Sequence, residues 1–160
     1  MIKETNEASN ILWLNQAHML GRIIIFFIFT GIFASVYGVA ATMSEPTEEE
    51  VQEIMDFFEE IVDTIDGIGI FVHNVIIALP MFLPGFGVVW GLFSAYSTGF
   101  AYSAIATANP EIAQLNPLAV LLTPFGLMEL GAYSISMSRS ALLAKDVLQK
   151  NWLLIKSQKI

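Results

Sequence analysis

The chain has 160 residues, 55% of them hydrophobic, with a mean hydropathy of +0.64 and a formal charge of −8. A water-soluble domain of this size leaves much of its surface wet and has little room to hide so much apolar side chain. The absence of cysteine excludes disulfides, thiolate nucleophiles and sulfur-ligated metals, and the acidic balance excludes a broad nucleic-acid-binding face.

The charges are unevenly placed. No lysine or arginine occurs between Ile23 and Ser138, while Lys3 and Arg22 precede that window and Arg139, Lys145, Lys150, Lys156 and Lys159 follow it. Ten of the fifteen acids lie between Glu45 and Asp66. Basic ends around apolar stretches predict an all-α, multi-pass membrane helical bundle in the cell membrane with both termini in the cytoplasm. That arrangement requires an even number of crossings, and four are predicted.

Residues 1–22 carry Ile11, Leu12, Trp13 and Leu14 among polar neighbours. They read as an amphipathic helix on the cytoplasmic surface that turns into the bilayer. The first crossing is 23–43, without a charge and long enough for about 30 Å of hydrocarbon. It ends in small residues around Ala40 and Ala41, but its length reads as a retained anchor and not as a cleaved signal.

An acidic amphipathic helix is expected on the outer side over 47–66. Thr47 and Glu50 have the spacing of a capping box. Val51, Ile54, Met55, Phe58, Ile61, Val62 and Ile65 follow at helical intervals. Its acids face like charges at i,i+4, which suits a solvated face and leaves open a basic partner or a weak cation site.

Residues 67–108 form one long apolar tract, twice what a bilayer needs, broken at Pro80 and Pro84-Gly85. Two crossings, 68–83 and 85–108, are expected. On the second, Gly87, Gly91, Ala95, Gly99 and Ser103 recur every fourth residue, a stripe that lets another helix backbone come close. Ala34, Gly38 and Thr42, and Ala132, Ser136 and Ser140, are the candidate facing stripes.

Asn109-Pro110-Glu111 reads as an outer turn, and 112–122 as a short apolar outer segment, too short to cross. The last crossing is placed at 124–144, with Thr123 as N-cap and Pro124 at N1. A helix running continuously from Leu115 is the alternative. Arg139 is expected to reach back toward the cytoplasmic surface. The tail reads as a second surface helix with Trp152 and Leu153 among lysines.

His73, Asn74 and Glu129 are out of place in hydrocarbon and mark an intramembrane polar contact. The plain role is a helix–helix hydrogen bond; a proton or ion relay is the sharper one. No catalytic set, cofactor motif or metal-ligand cluster stands out, and His18 lies far from His73 in the predicted topology.

Phe71-Val72-His73-Asn74-Val75-Ile76-Ile77-Ala78, the Pro84-Gly85 turn, the glycine-striped helix and Pro124-Phe125-Gly126-Leu127-Met128-Glu129-Leu130 resemble the stage II sporulation protein M family of membrane proteins. The resemblance covers about 67–141. Members typically show Asn-Asn at His73-Asn74, Pro-His-Gly at Pro124-Phe125-Gly126, and Asn-Gly near Thr98-Gly99. The imidazole missing at Phe125 thus reappears at His73, where it is expected to meet Glu129 from the opposite helix. The resemblance implies a helical membrane domain that works with partners. The expected function is a non-catalytic scaffold or accessory subunit, in a homo- or hetero-oligomer with other integral membrane proteins and the lipid bilayer. A respiratory or monooxygenase complex is the kind of enzyme it would serve. A small oligomeric transporter or channel using His73 and Glu129 is the alternative.

Overall fold

The computed structural model describes residues 2–64 and 67–157, all but the connecting turns helical and none in a strand. Seven α-helices follow in order: α1 (Ile2–Met43), α2 (Glu48–Thr64), α3 (Gly67–Ala78), α4 (Phe86–Ala108), α5 (Pro110–Ala113), α6 (Pro117–Leu121) and α7 (Pro124–Ser157). A 3-10 turn, Leu79–Phe82, extends α3. The end of the expected acidic helix, 65–66, lies outside the described residues, as do the side chains of 1–18, 61–67, 70 and 151–160, Ile61, Val62 and Ile65 among them.

Two expected boundaries are absent. The helix α1 runs unbroken for 42 residues, and α7 for 34, so neither end has a separate surface helix that turns into a span. The reason is local. No proline interrupts either segment, and Gly21 alone weakens a helix by only about 1 kcal/mol, which the flanking hydrogen bonds override.

Among the described residues one segment, Met19–Met43, is long and apolar enough to cross a membrane, with mean hydropathy 2.3. Only 17% of its most apolar stretch is buried within the protein, unlike the core helix of a soluble domain. Of the four expected crossings, the first thus meets the test of length and apolarity among the described residues. Glycine, serine and tyrosine dilute α4, Phe71–Phe82 is short, and Glu129 and Arg139 interrupt α7.

Helix α4 is the hub. It packs against α1, α7, α2 and the 3-10 turn. Its stripe allows this close packing: Gly87, Gly91, Ala95, Gly99 and Ser103 are all buried, and the three glycines face the 3-10 turn, α7 and α1 in turn. A Cβ at Gly87 would overlap the Met81 carbonyl. At Gly91 it would lie 2.5 Å from Met137 Cγ on α7, and at Gly99 2.4 Å from the Tyr37 carbonyl on α1. The Ser103 hydroxyl donates to the Ser44 carbonyl at 3.0 Å, beyond the end of α1.

The facing stripes differ from expectation. On α1 it is Tyr37, Ala40 and Ala41 that meet Gly99. Ala34, Gly38 and Thr42 instead line a cavity with Leu115 and Leu118, because the 110–122 segment folds back over that side of α1. On α7, Ser136 and Ser140 are buried, whereas Ala132 is exposed.

The turn between the 3-10 segment and α4 needs Gly85, whose φ of +78° is a region that L side chains avoid. Three further starts share one device. Asn109-Pro110, Asn116-Pro117 and Thr123-Pro124 each place a capping side chain before a proline at the first helical position. Asn109 Oδ1 accepts from the Glu111 amide, Asn116 Oδ1 from the Leu118 amide, and Thr123 Oγ1 from the Gly126 amide. Residues 112–122 therefore form the end of one short helix and a second one, and α7 does not extend back to Leu115.

In α2 the capping box is formed in both directions. The Thr47 amide donates to Glu50 Oε2 at 2.8 Å, and the Glu50 amide donates to Thr47 Oγ1 at 3.3 Å. Val51, Ile54 and Met55 are half-buried, while Phe57 and Phe58 are exposed.

Candidate functional site

Helices α3 and α7 touch, and a cleft of about 370 Å³ lies between them. Asn74 enters it from α3; Glu129, Ala132 and Tyr133 enter from α7. Phe71, Phe125 and Met128 also line it and are each about two-thirds or more exposed, so they form its rim. Helical spacing sets this arrangement. Phe125, Met128, Glu129, Ala132 and Tyr133 fall on one face of α7, and Phe71, Asn74, Val75 and Ala78 on one face of α3.

The predicted polar trio is only partly brought together. Asn74 and Glu129, both half-buried, share the cleft. His73 is exposed and is not among the lining residues. One residue along a helix rotates a side chain by about 100°, since 3.6 residues make a turn. Turning Asn74 into the cleft therefore turns His73 away from it.

Tyrosine is the polar partner that sequence reasoning missed. Tyr133, 2% exposed, sits one turn from Glu129 on α7, within range of its carboxylate. Tyr37, 1% exposed, also lies within range of that carboxylate's charge. The Tyr37 hydroxyl donates to the Pro117 carbonyl at 3.1 Å. The Tyr102 hydroxyl lies 3.1 Å from the Ile112 carbonyl and 2.9 Å from that of Leu115. Tyr37 and Tyr102 meet edge to face, 6.4 Å between centroids. The signal available in the sequence was tyrosine inside otherwise apolar runs, where a hydroxyl that is buried needs an acceptor.

Chemically, the cleft offers one carboxylate and one amide on apolar walls. Such a pair can hydrogen-bond a polar group presented by another helix, or bind and release a proton. Among the described residues no group of three histidine, aspartate or glutamate side chains is placed to hold a metal ion. Comparison with known protein families, characterised proteins and solved structures finds no match.

Proposed function

We propose that the chain is an integral membrane protein with four crossings and both termini in the cytoplasm, acting as a non-catalytic scaffold or accessory subunit for other membrane proteins. The observation that carries this is an inverted distribution of polarity. Among the described residues the buried polar side chains are six serines, Ser94, Ser103, Ser134, Ser136, Ser138 and Ser140, beside the phenols of Tyr37 and Tyr133. The exposed side includes Phe27, Phe71, Leu122, Phe125 and Met128, each 64% exposed or more. Water would make that surface a large aggregation-prone patch. Lipid and neighbouring helices would cover it, and helices in lipid associate through small residues and serine hydroxyls of this kind.

The scaffold reading draws on α3. It packs chiefly on its own 3-10 extension and on α7, with the Trp90 indole of α4 donating to the Ile77 carbonyl, and Ile68, Phe71, Val72 and Ile76 stay uncovered beside the Asn74–Glu129 cleft. A partner helix bearing a hydrogen-bonding side chain would cover both. The proposed kinship with the stage II sporulation protein M family rests on the same segments, 71–78 and 124–130, and points the same way. Extraction in mild detergent followed by native mass spectrometry tests the proposal. Co-purifying membrane polypeptides, lost on Asn74→Leu with Phe71→Ala, are expected; a lone monomer from native membranes overturns it.

The cleft favours one second reading, a small oligomeric transporter or channel in which Glu129 carries a proton or cation. Purified chain in liposomes would then support a flux that Glu129→Gln abolishes. A flux untouched by that substitution removes Glu129 from any path.

A further inference from the structure

A second, larger cleft lies between α1 and α7 at the opposite end of the apolar segment from the α1–α2 connection. It encloses about 880 Å³ and is lined by Arg22 on α1, Arg139, Lys145 and Asp146 on α7, and the apolar Ile25 and Phe82. A neighbouring cavity of about 400 Å³ shares Arg22 and Arg139 and is otherwise lined largely by apolar residues, including Ile23, Phe26 and Ile135. Two arginines from different helices thus open onto both spaces. Three cations face one carboxylate in the larger cleft, and among the described residues neither arginine has an ion-pair or hydrogen-bond partner.

Two guanidinium groups held around one cleft repel each other unless an anion lies between them. The planar guanidinium fork matches phosphate oxygens, and two forks from different helices can hold one phosphate. The position also matters. Arg22 stands three residues into Met19–Met43, the crossing-length segment, which is headgroup depth if that segment spans a bilayer. The adjoining apolar cavity continues along the same helices, as an acyl chain would. Basic pockets between helices at the cytoplasmic face are suited to acidic headgroups.

We propose that this cleft is a binding site for an anionic phospholipid, with Arg22 and Arg139 holding its phosphate, Lys145 adding charge, and the Ile23–Phe26–Ile135 cavity taking an acyl chain. The ligand chemistry is a phosphate ester; its source is the surrounding leaflet. This inference rests on the membrane reading above.

The test begins with carbonate-resistant sedimentation of the full chain with membranes. A chain released by carbonate overturns the membrane reading, and the lipid site with it. A retained chain is then purified in non-ionic detergent and titrated by native mass spectrometry with phosphatidylglycerol and phosphatidylcholine of matched acyl chains. Phosphatidylglycerol is expected to bind preferentially. Arg22→Gln should weaken it about fivefold and Arg22→Gln with Arg139→Gln about thirtyfold, leaving phosphatidylcholine unchanged. Lys150→Gln, outside the cleft, should leave the preference intact, which separates a site from general attraction to acidic surfaces. Lys145→Gln, an exposed substitution, provides the same readout at smaller amplitude should the double variant lose its helical circular dichroism. Equal binding of the two lipids by the native chain, or a preference that survives the cleft variants, overturns the site. Equally tight binding of free glycerol 3-phosphate overturns the lipid as its occupant.

Discussion

Ser140 fastens α7 to the Leu83–Gly85 turn through both its side chain and its backbone. Its hydroxyl donates to the Leu83 carbonyl at 2.5 Å, and its carbonyl accepts from the Gly85 amide at 3.4 Å. The turn that redirects the chain from α3 into α4 is therefore held by a helix 57 residues away. Removing the hydroxyl leaves the Leu83 carbonyl without that donor. Ser140→Ala is expected to lower stability in detergent by about 1 kcal/mol, within the range measured for interhelical hydrogen bonds in membranes. Thermal unfolding followed by helical circular dichroism reads this. Ser134→Ala is the contrast: its buried hydroxyl has no partner among the described residues, so the same measurement should show no loss or a gain.

Close approach of α1 and α4 depends on the missing side chain at Gly99. A Cβ there would lie 2.4 Å from the Tyr37 carbonyl, 2.8 Å from the Ala40 Cβ and about 3.0 Å from the Ala41 amide nitrogen, two of them backbone atoms that cannot swing away. Gly99→Ala should destabilise by about 1–3 kcal/mol through overpacking, and Gly99→Leu should prevent α1 from docking. Gly31→Ala and Gly131→Ala meet nothing within 4 Å and should stabilise by up to about 1 kcal/mol in the same unfolding assay, since alanine is the better helix former.

The start of α2 is expected to respond to acid. Hydrogen bonds from the Thr47 backbone and side chain hold the Glu50 carboxyl below its ordinary range. A group with a depressed folded pKa contributes stability above its unfolded value and loses it as pH falls through the folded one. The first turn of α2 should therefore be intact at neutral pH and fray as the solution becomes more acidic than the normal carboxylate range. Amide exchange at residues 48–52 measures this. Thr47→Ala should cause similar fraying at neutral pH, at about 1 kcal/mol for a lost N-cap.

Local signals were legible in the sequence wherever one residue type has one physical job. Thr47 with Glu50, Thr123 with Pro124, and the Pro84-Gly85 break could each be placed because caps and prolines act over a few bonds. The every-fourth-residue stripe on α4 was also readable, since periodicity alone defines a face. Its partners were not. Gly99 meets Tyr37 and Ala40 because the 110–122 segment takes up the Ala34–Gly38 side of α1, and that competition is set by tertiary packing. The cleft shows the same limit. Asn74 and Glu129 were legible as polar residues in apolar runs, but which of His73 and Asn74 faces α7 depends on the rotation of α3 by a single residue. The tyrosines were overlooked because a buried phenol can pass for core until its acceptor, here a carbonyl in a distant turn, is known.

Tyr102 is expected to control the order of the 110–122 segment. Its hydroxyl reaches the carbonyls of Ile112 and Leu115, which bracket the turn between α5 and α6. One hydroxyl hydrogen is shared between two acceptors, so Tyr102→Phe releases both at once. Proteolysis and amide exchange should rise at residues 112–116, with helical circular dichroism nearly unchanged. Tyr37→Phe should have a parallel effect at Pro117, where the other hydroxyl is anchored. Loss of protection spread over α4 instead would mean that Tyr102 serves the core and not the segment.

The proposed four crossings make a directional prediction. The native chain has no cysteine, so single cysteines report their own side of a membrane without background. Glu49→Cys and Glu111→Cys, both exposed, should react with a membrane-impermeant maleimide applied to intact cells. Lys145→Cys and Lys150→Cys, also exposed, should react only after the membrane is opened. The pattern follows from the charge map: the basic ends stay in the cytoplasm, and the acidic α2 faces outward. Labelling of Glu111→Cys and Lys145→Cys from the same side would remove the last crossing. The second and third crossings need their own marker, because they are short or glycine-rich and together return the chain to the side it left. Pro84→Cys, exposed at the turn between them, should label only from the cytoplasmic side; labelling from outside would leave α3 and α4 on one face of the bilayer.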